Sequence, residues 1–273
     1  MSSANLKSRE VLNLNRNDNI AYRIWEIMYP VLMYYATLSI ASFVAQTVIG
    51  TGVENYMLCK TIGSLVTIPV VYADYKKDLM LTGRYGLRNP WEKSELKNIG
   101  FVFVSTICLS VALNNIICMS PLVQMSEEFQ NASDAFYGSS MLIELLGAAV
   151  VTPILEELLH RGVVYGRLRR RMGMWPAVVV SALVFAVLHF NVVQFIYAFL
   201  MGIVFAVIVE RTGRLSFAVF AHIVANAIAV IRTETGFLEG TVDGSVSAWF
   251  ISVGLCLVGI AIFISYTGDK KEV

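Results

Sequence analysis

The sequence predicts an all-α, polytopic membrane protein with about eight transmembrane helices and both termini in the cytoplasm. Three observations carry this. Of the 273 residues, 56% are hydrophobic and only 15% charged, against about 25% charged in soluble domains. The apolar residues come in long blocks rather than amphipathic stripes, and a crossing helix needs roughly 20 mostly apolar residues. The basic residues then alternate from side to side along the blocks.

In chain order, residues 1–23 are polar, with no early apolar region and no cleavage site. They read as a cytoplasmic tail rather than a cleaved signal peptide. Spans are expected at 24–49, 56–75, 98–119, 138–160, 174–190, 192–209, 215–232 and 246–267. Residues 24–137 hold the first membrane helices, 138–232 a core, and 233–273 the last helix and a cytoplasmic tail. In the long basic loop 76–97, Asn89-Pro90 reads as an N-cap followed by proline at the first helical position. Trp25, Trp175 and Trp249 fall near span ends, where indoles favour the membrane interface.

Orientation follows from Lys and Arg, which concentrate in cytoplasmic loops. The tail, the loop 76–97, the run Arg161 to Arg171, Arg211 with Arg214, and Lys270 with Lys271 hold 19 of the 21 basic residues. Only Lys60 and Arg232 lie elsewhere. The other loops hold Glu54, Glu127, Glu128, Asp134, Glu234, Glu239 and Asp243. The protein belongs by this reading in a cell membrane, the bacterial cytoplasmic membrane above all. A net charge of +1 gives no reason to expect a nucleic-acid partner. Cys59, Cys108, Cys118 and Cys256 are scattered through apolar blocks without CxxC spacing, so a disulfide framework or thiolate metal site is not expected.

An ionisable group inside a span costs about 2.5–3.5 kcal/mol on insertion scales and marks function by default. Most such groups here fall in one region: Glu156, Glu157, His160 and Arg161 in EELLHRG, His189 in FAVLHF, and His222 with Asn226 in HIVAN. Glu157 and Arg161 are four apart and share a helix face, as do Phe185 with His189 and His222 with Asn226. If the fourth helix runs on to a turn at Gly173, Glu156 lies 17 residues before that turn and His189 lies 16 after it. At 1.5 Å per residue both stand about 24–26 Å from it, so they meet at one level of the hairpin. His222 is nine residues past Gly213, about 13 Å above the next cytoplasmic turn. The levels agree if the arginine-rich end projects about 10 Å into the cytoplasm. His160 is expected at the interface, Glu144 against another helix or water near the outer surface, and Asn114 and Asn115 in bonds between helices.

A glutamate and a histidine side by side can activate water as general base. A second histidine with an amide one turn away offers donors to an oxyanion. The set therefore suits peptide hydrolysis without a cofactor. Glu156, His189 and His222 as zinc ligands, with Glu157 as base, are the alternative. The chain has no GxSxG and no HExxH, so serine-triad and zincin readings lack their motifs.

At these residues the sequence resembles the CPBP family, which includes type II CAAX prenyl proteases and the bacteriocin-processing or self-immunity proteins called Abi. That family's pattern is EExxxR, FxxxH and HxxxN, matched here by Glu156-Glu157 to Arg161, Phe185 to His189, and His222 to Asn226. The stretch Glu210 to His222 also resembles the family's approach to its third motif. The match covers roughly 138–232, and the first three spans carry no motif. The resemblance implies an intramembrane endopeptidase with a cavity open to the cytoplasm. It assigns water activation to Glu156 and His189, oxyanion stabilisation to His222 and Asn226, and support to Glu157 and Arg161. It leaves zinc open. Its implied partners are the bilayer and a peptide or membrane-protein substrate, prenylated or not. A non-catalytic immunity or binding protein is a second class of reading. A proton-relay transporter is a third, with no half-helix pair or inverted repeat behind it.

Overall fold

In the computed structural model, residues 19–81 and 93–268 are described, and no strand occurs among them. The tail 1–18, Asn89-Pro90, and Lys270 with Lys271 lie outside the described residues. Helix α1 is Ile20–Ile49, started by Asn19, whose side chain accepts from Ala21 N at 2.9 Å. Helix α2 is Val53–Leu81 and packs back along α1. Helix α3 is Lys93–Cys118. Two short helices follow, α4 (Leu122–Met125) and α5 (Glu127–Phe136), the second capped by Ser126 on Phe129 N.

The run from Met141 to Arg169, here α6, is continuous but mixed. Its α-helical pieces Met141–Glu144, Thr152–Glu157 and Gly166–Arg169 alternate with π-helical Leu145–Val151 and Leu158–Tyr165. Then come α7 (Met174–Val187), α8 (Val192–Thr212), α9 (Leu215–Thr235) and α10 (Val246–Gly268). Among the described residues each of the eight expected blocks holds one of these helices, with α4 and α5 falling between blocks and α6 running on past 160 to Arg169. Six are long and apolar enough to cross a membrane; α7 is apolar but short. The chain is an all-α, polytopic membrane protein.

Helix α6 is the centre of the bundle. Its Leu155, Leu159, Val163 and Val164 are wholly buried against Val31 and Tyr34 of α1, Val71 of α2, Ala177 and Val178 of α7, and Ala206 of α8. A helix with apolar residues around most of its circumference belongs inside others. Large apolar side chains elsewhere, such as Phe43, Val48, Phe250 and Leu257, are exposed, as lipid contact requires.

The end of α6 carrying the arginines is latched to its neighbours. Arg167 Nε donates to Asp78 Oδ2 at 2.7 Å, Nη1 to Glu26 O at 2.7 Å, and Nη2 to Asp74 Oδ1 at 3.3 Å. Arg169 Nε meets Glu210 Oε1 at 3.0 Å, and Tyr165 donates to Glu210 Oε2 at 2.6 Å. Arg171 pairs with Glu26. The basic end of the bundle is thus held shut across α1, α2, α6 and α8.

Candidate active site

Three elements supply the polar set. Helix α6 brings Glu156, Glu157, His160 and Arg161; the end of α7 brings His189; α9 brings His222 and Asn226. Glu156 and Glu157 are adjacent and so about 100° apart around the axis. Glu156 faces a cavity of about 430 Å³, which His160, His189, His222 and Asn226 also line. Glu157 turns inward and is fully buried.

Glu157 organises the inner layer. Its Oε1 accepts from Arg161 Nη1 at 2.8 Å, the i,i+4 pair expected, and also from His222 Nδ1 at 2.9 Å. Arg161 Nη2 donates to Gly202 O at 3.0 Å, and its guanidinium lies over Phe185 at 4.6 Å and near Phe205 at 5.3 Å. With Nδ1 committed to Glu157, His222 turns Nε2 toward Glu156, 3.7 Å from its Oε2. Phe205 stacks on the His222 ring at 4.8 Å.

The other two imidazoles are oriented by the backbone of their own helices. His189 Nδ1 bonds to Phe185 O at 3.0 Å, and His160 Nδ1 to Glu156 O at 2.8 Å. A carbonyl only accepts, so each Nδ1 carries the proton and, in the neutral ring, each Nε2 is left as an acceptor. Phe185 touches all three rings, with centroids 4.9 Å from His160, 5.0 Å from His189 and 5.8 Å from His222. One phenyl ring therefore gathers every histidine in the chain.

His189 sits where the chain turns from α7 into α8. Phe190 takes a left-handed φ of 56°, a conformation that costs a bulky residue of order 1–3 kcal/mol. Asn191 stabilises the turn: its Oδ1 accepts from Gln194 N at 2.8 Å and its Nδ2 donates to His189 O at 3.1 Å. Tyr35 of α1 donates to Leu188 O at 2.9 Å. Asn226 Nδ2 donates to Ala148 O at 2.9 Å, which leaves its second N–H for another acceptor.

Two expectations change. His160 is not interfacial: it is buried on the cavity wall, with Nε2 lacking a partner. Glu144 takes the first of its two expected settings, inside the bundle rather than in water: it is fully buried, with Oε1 accepting from Ser139 N at 3.2 Å. The cavity does not lie toward the basic turns. It runs from mid-bundle toward the end formed by the α1–α2, α3–α4 and α7–α8 connections. Asn115 does bond between helices, to Ser252 at 3.1 Å and to Arg232 at 2.7 Å. Tyr34, Tyr35, Tyr56 and Lys60 also line the cavity, though α1 and α2 carry no motif to announce them.

Metal ligation requires donors converging on one point at about 2.0–2.2 Å. Among the described residues no three His, Cys, Asp or Glu side chains are close enough to hold an ion. Glu156, His189 and His222 share a wall without forming such a cluster.

Residues 138–228 match the family model "Type II CAAX prenyl endopeptidase Rce1-like". The chain is similar to a protein of Bacillus subtilis (strain 168) named "Putative membrane peptidase YdiL", at 29% identity over 106 residues. That alignment covers 39% of this chain and 43% of the relative. No solved structure matches. The matched segment spans α6 to α9 and contains every polar group named from Glu156 to Asn226. Over residues 138–228, the chain is similar to the Rce1-like, type II CAAX prenyl endopeptidase family.

Proposed function

We propose that the protein is an intramembrane endopeptidase that hydrolyses a peptide bond with a water activated by Glu156 and His189. The observation that carries the reading is the shared cavity: a carboxylate, three imidazoles and a carboxamide from three helices face one space inside the bundle. The match to a peptidase family over the same segment supports it. Eight crossings with both ends in the cytoplasm belong to the same proposal.

In the reaction, Glu156 takes a proton from water, whose oxygen adds to the scissile carbonyl carbon. His189 Nε2 accepts a hydrogen bond from that water and fixes its attack. The carbonyl electron pair moves onto oxygen, where Asn226 Nδ2 and the doubly protonated form of His222, held between Glu156 and Glu157, donate to it. The C–N bond then breaks as Glu156 returns its proton to the leaving nitrogen. Positioned acid–base groups contribute about 10²–10⁴-fold, and each oxyanion donor about 10²–10³. Glu157 and Arg161 act through His222 rather than on the substrate.

The donor geometry favours this metal-free form over zinc. Metal content of purified protein, with cleavage measured before and after chelation, tests the choice: activity without stoichiometric zinc is expected. The non-catalytic alternative, a binding or immunity protein, is tested by purified protein and a peptide library. Cleavage that disappears in Glu156→Gln is expected. Equal product from wild type and variant would refute the assignment.

A further inference from the structure

We infer that the site is entered from the extracytoplasmic side, and that its substrate is a membrane-held polypeptide whose scissile bond lies in the outer half of the bilayer. This rests on the peptidase reading above and narrows its substrate class.

The two ends of the bundle differ. At one end stand Arg23, Lys77, Arg167, Arg169 and Arg171, with the turns that carry them. At the other stand Glu54, Glu127, Asp134, Glu234 and Asp243. Basic residues concentrate in cytoplasmic loops, which makes the first end cytoplasmic. The two exceptions at the acidic end are occupied within the protein: Lys60 lies over the Phe136 ring at 5.7 Å, and Arg232 donates to Asn115.

The cavity belongs to the acidic end. Its wall includes Tyr56 in the first turn of α2, Cys118 at the last residue of α3, Ser133 and Phe136 of α5, and Gln194 in the first turn of α8. Every one of these positions lies at the outer end of its helix. Cys118 and Phe190, both lining residues, are exposed and form a rim. The deep wall holds His160, Phe185, Phe205 and His222, all buried. Beneath it, Arg161 packed by Phe185 and Phe205, the apolar core of α6, and the arginine latch fill the path to the cytoplasm. Among the described residues, these groups close the cavity floor on the side of the basic end. At about 430 Å³, the cavity is of a size for a small ligand, so a few substrate residues enter and the rest stay at the outer surface.

The test uses the full chain in cells, with Cys59→Ala, Cys108→Ala and Cys256→Ala leaving Cys118 as reporter. A bulky, membrane-impermeant maleimide is applied to spheroplasts or, separately, to inverted vesicles. The protein is then purified and assayed on a peptide library. Two further reporters, each with Cys118→Ala, are Ser133→Cys on the rim and Lys77→Cys at the basic end. The inference expects Cys118 and Ser133→Cys to react in spheroplasts and to lose cleavage once labelled. It expects Lys77→Cys to react only in inverted vesicles, with cleavage kept. Rim labelling confined to inverted vesicles overturns it, and so does a rim that reacts from neither side. If unlabelled protein cleaves nothing, the peptidase reading fails instead, while the labelling still reports the side on which the rim lies.

Discussion

Two neighbouring glutamates stand in different settings. Glu156 meets the cavity, whereas Glu157 is buried between Arg161 and His222. Their substitutions should separate stability from activity. Glu157→Ala leaves the Arg161 charge buried without its carboxylate, which costs about 3–5 kcal/mol, and thermal unfolding in detergent should show it. Glu156→Gln is nearly isosteric on a cavity wall, so its unfolding temperature should stay close to wild type while cleavage falls at least about 10²-fold. The pair Glu157–Arg161 was legible as an i,i+4 spacing. The bond from Glu157 to His222 was not, because helical period reports neighbours on one helix and not residues 65 apart. His160 was misplaced for a related reason. It lies in the π-helical stretch Leu158–Tyr165, where i→i+5 bonding turns the faces away from an α-helical count.

Among the elements, the helices of the bundle follow from runs of apolar residues, and each expected block holds one. Helix α5 escaped because it is amphipathic and short, and a search for long apolar windows passes over such a segment. Its signals were present in Ser126 as N-cap and in Glu127 and Glu128 in the first turn. Two close fits hold the site elements in register. A Cβ on Gly202 would stand 3.1 Å from Ala182 Cβ and 3.2 Å from Arg161 Nη2. Gly202→Ala should therefore destabilise the protein by about 1–3 kcal/mol through overpacking, read as a lower unfolding temperature. At the α7–α8 turn, Asn191→Ala removes the cap on Gln194 N and the bond to His189 O. The expected loss is about 0.5–2 kcal/mol of stability, together with a fall in kcat as His189 loses its fixed position.

For the whole molecule, the architecture separates a latched basic end from a hollow acidic end. Arg167→Ala should loosen the first without touching the second. Losing hydrogen bonds between charged groups costs about 1.5–3 kcal/mol each at most, so unfolding should shift clearly while kcat of the folded fraction persists. The membrane class and the alternation of basic loops were legible from composition and order alone. The position of the cavity was not, because it depends on how α3, α5 and α8 splay at one end, and no spacing within a single helix encodes that. The resemblance implied an opening to the cytoplasm, whereas the cavity lies at the end away from the basic turns.

The central claim is that Glu156 and the histidines gathered on Phe185 form one hydrolytic site. Cleavage of a peptide library by purified wild type, Glu156→Gln, His189→Ala and Asn226→Ala, each checked for folding by thermal unfolding, tests it most directly. The account predicts product from wild type, with losses of about 10²-fold or more in all three variants. Folded variants that cleave as well as wild type would contradict it.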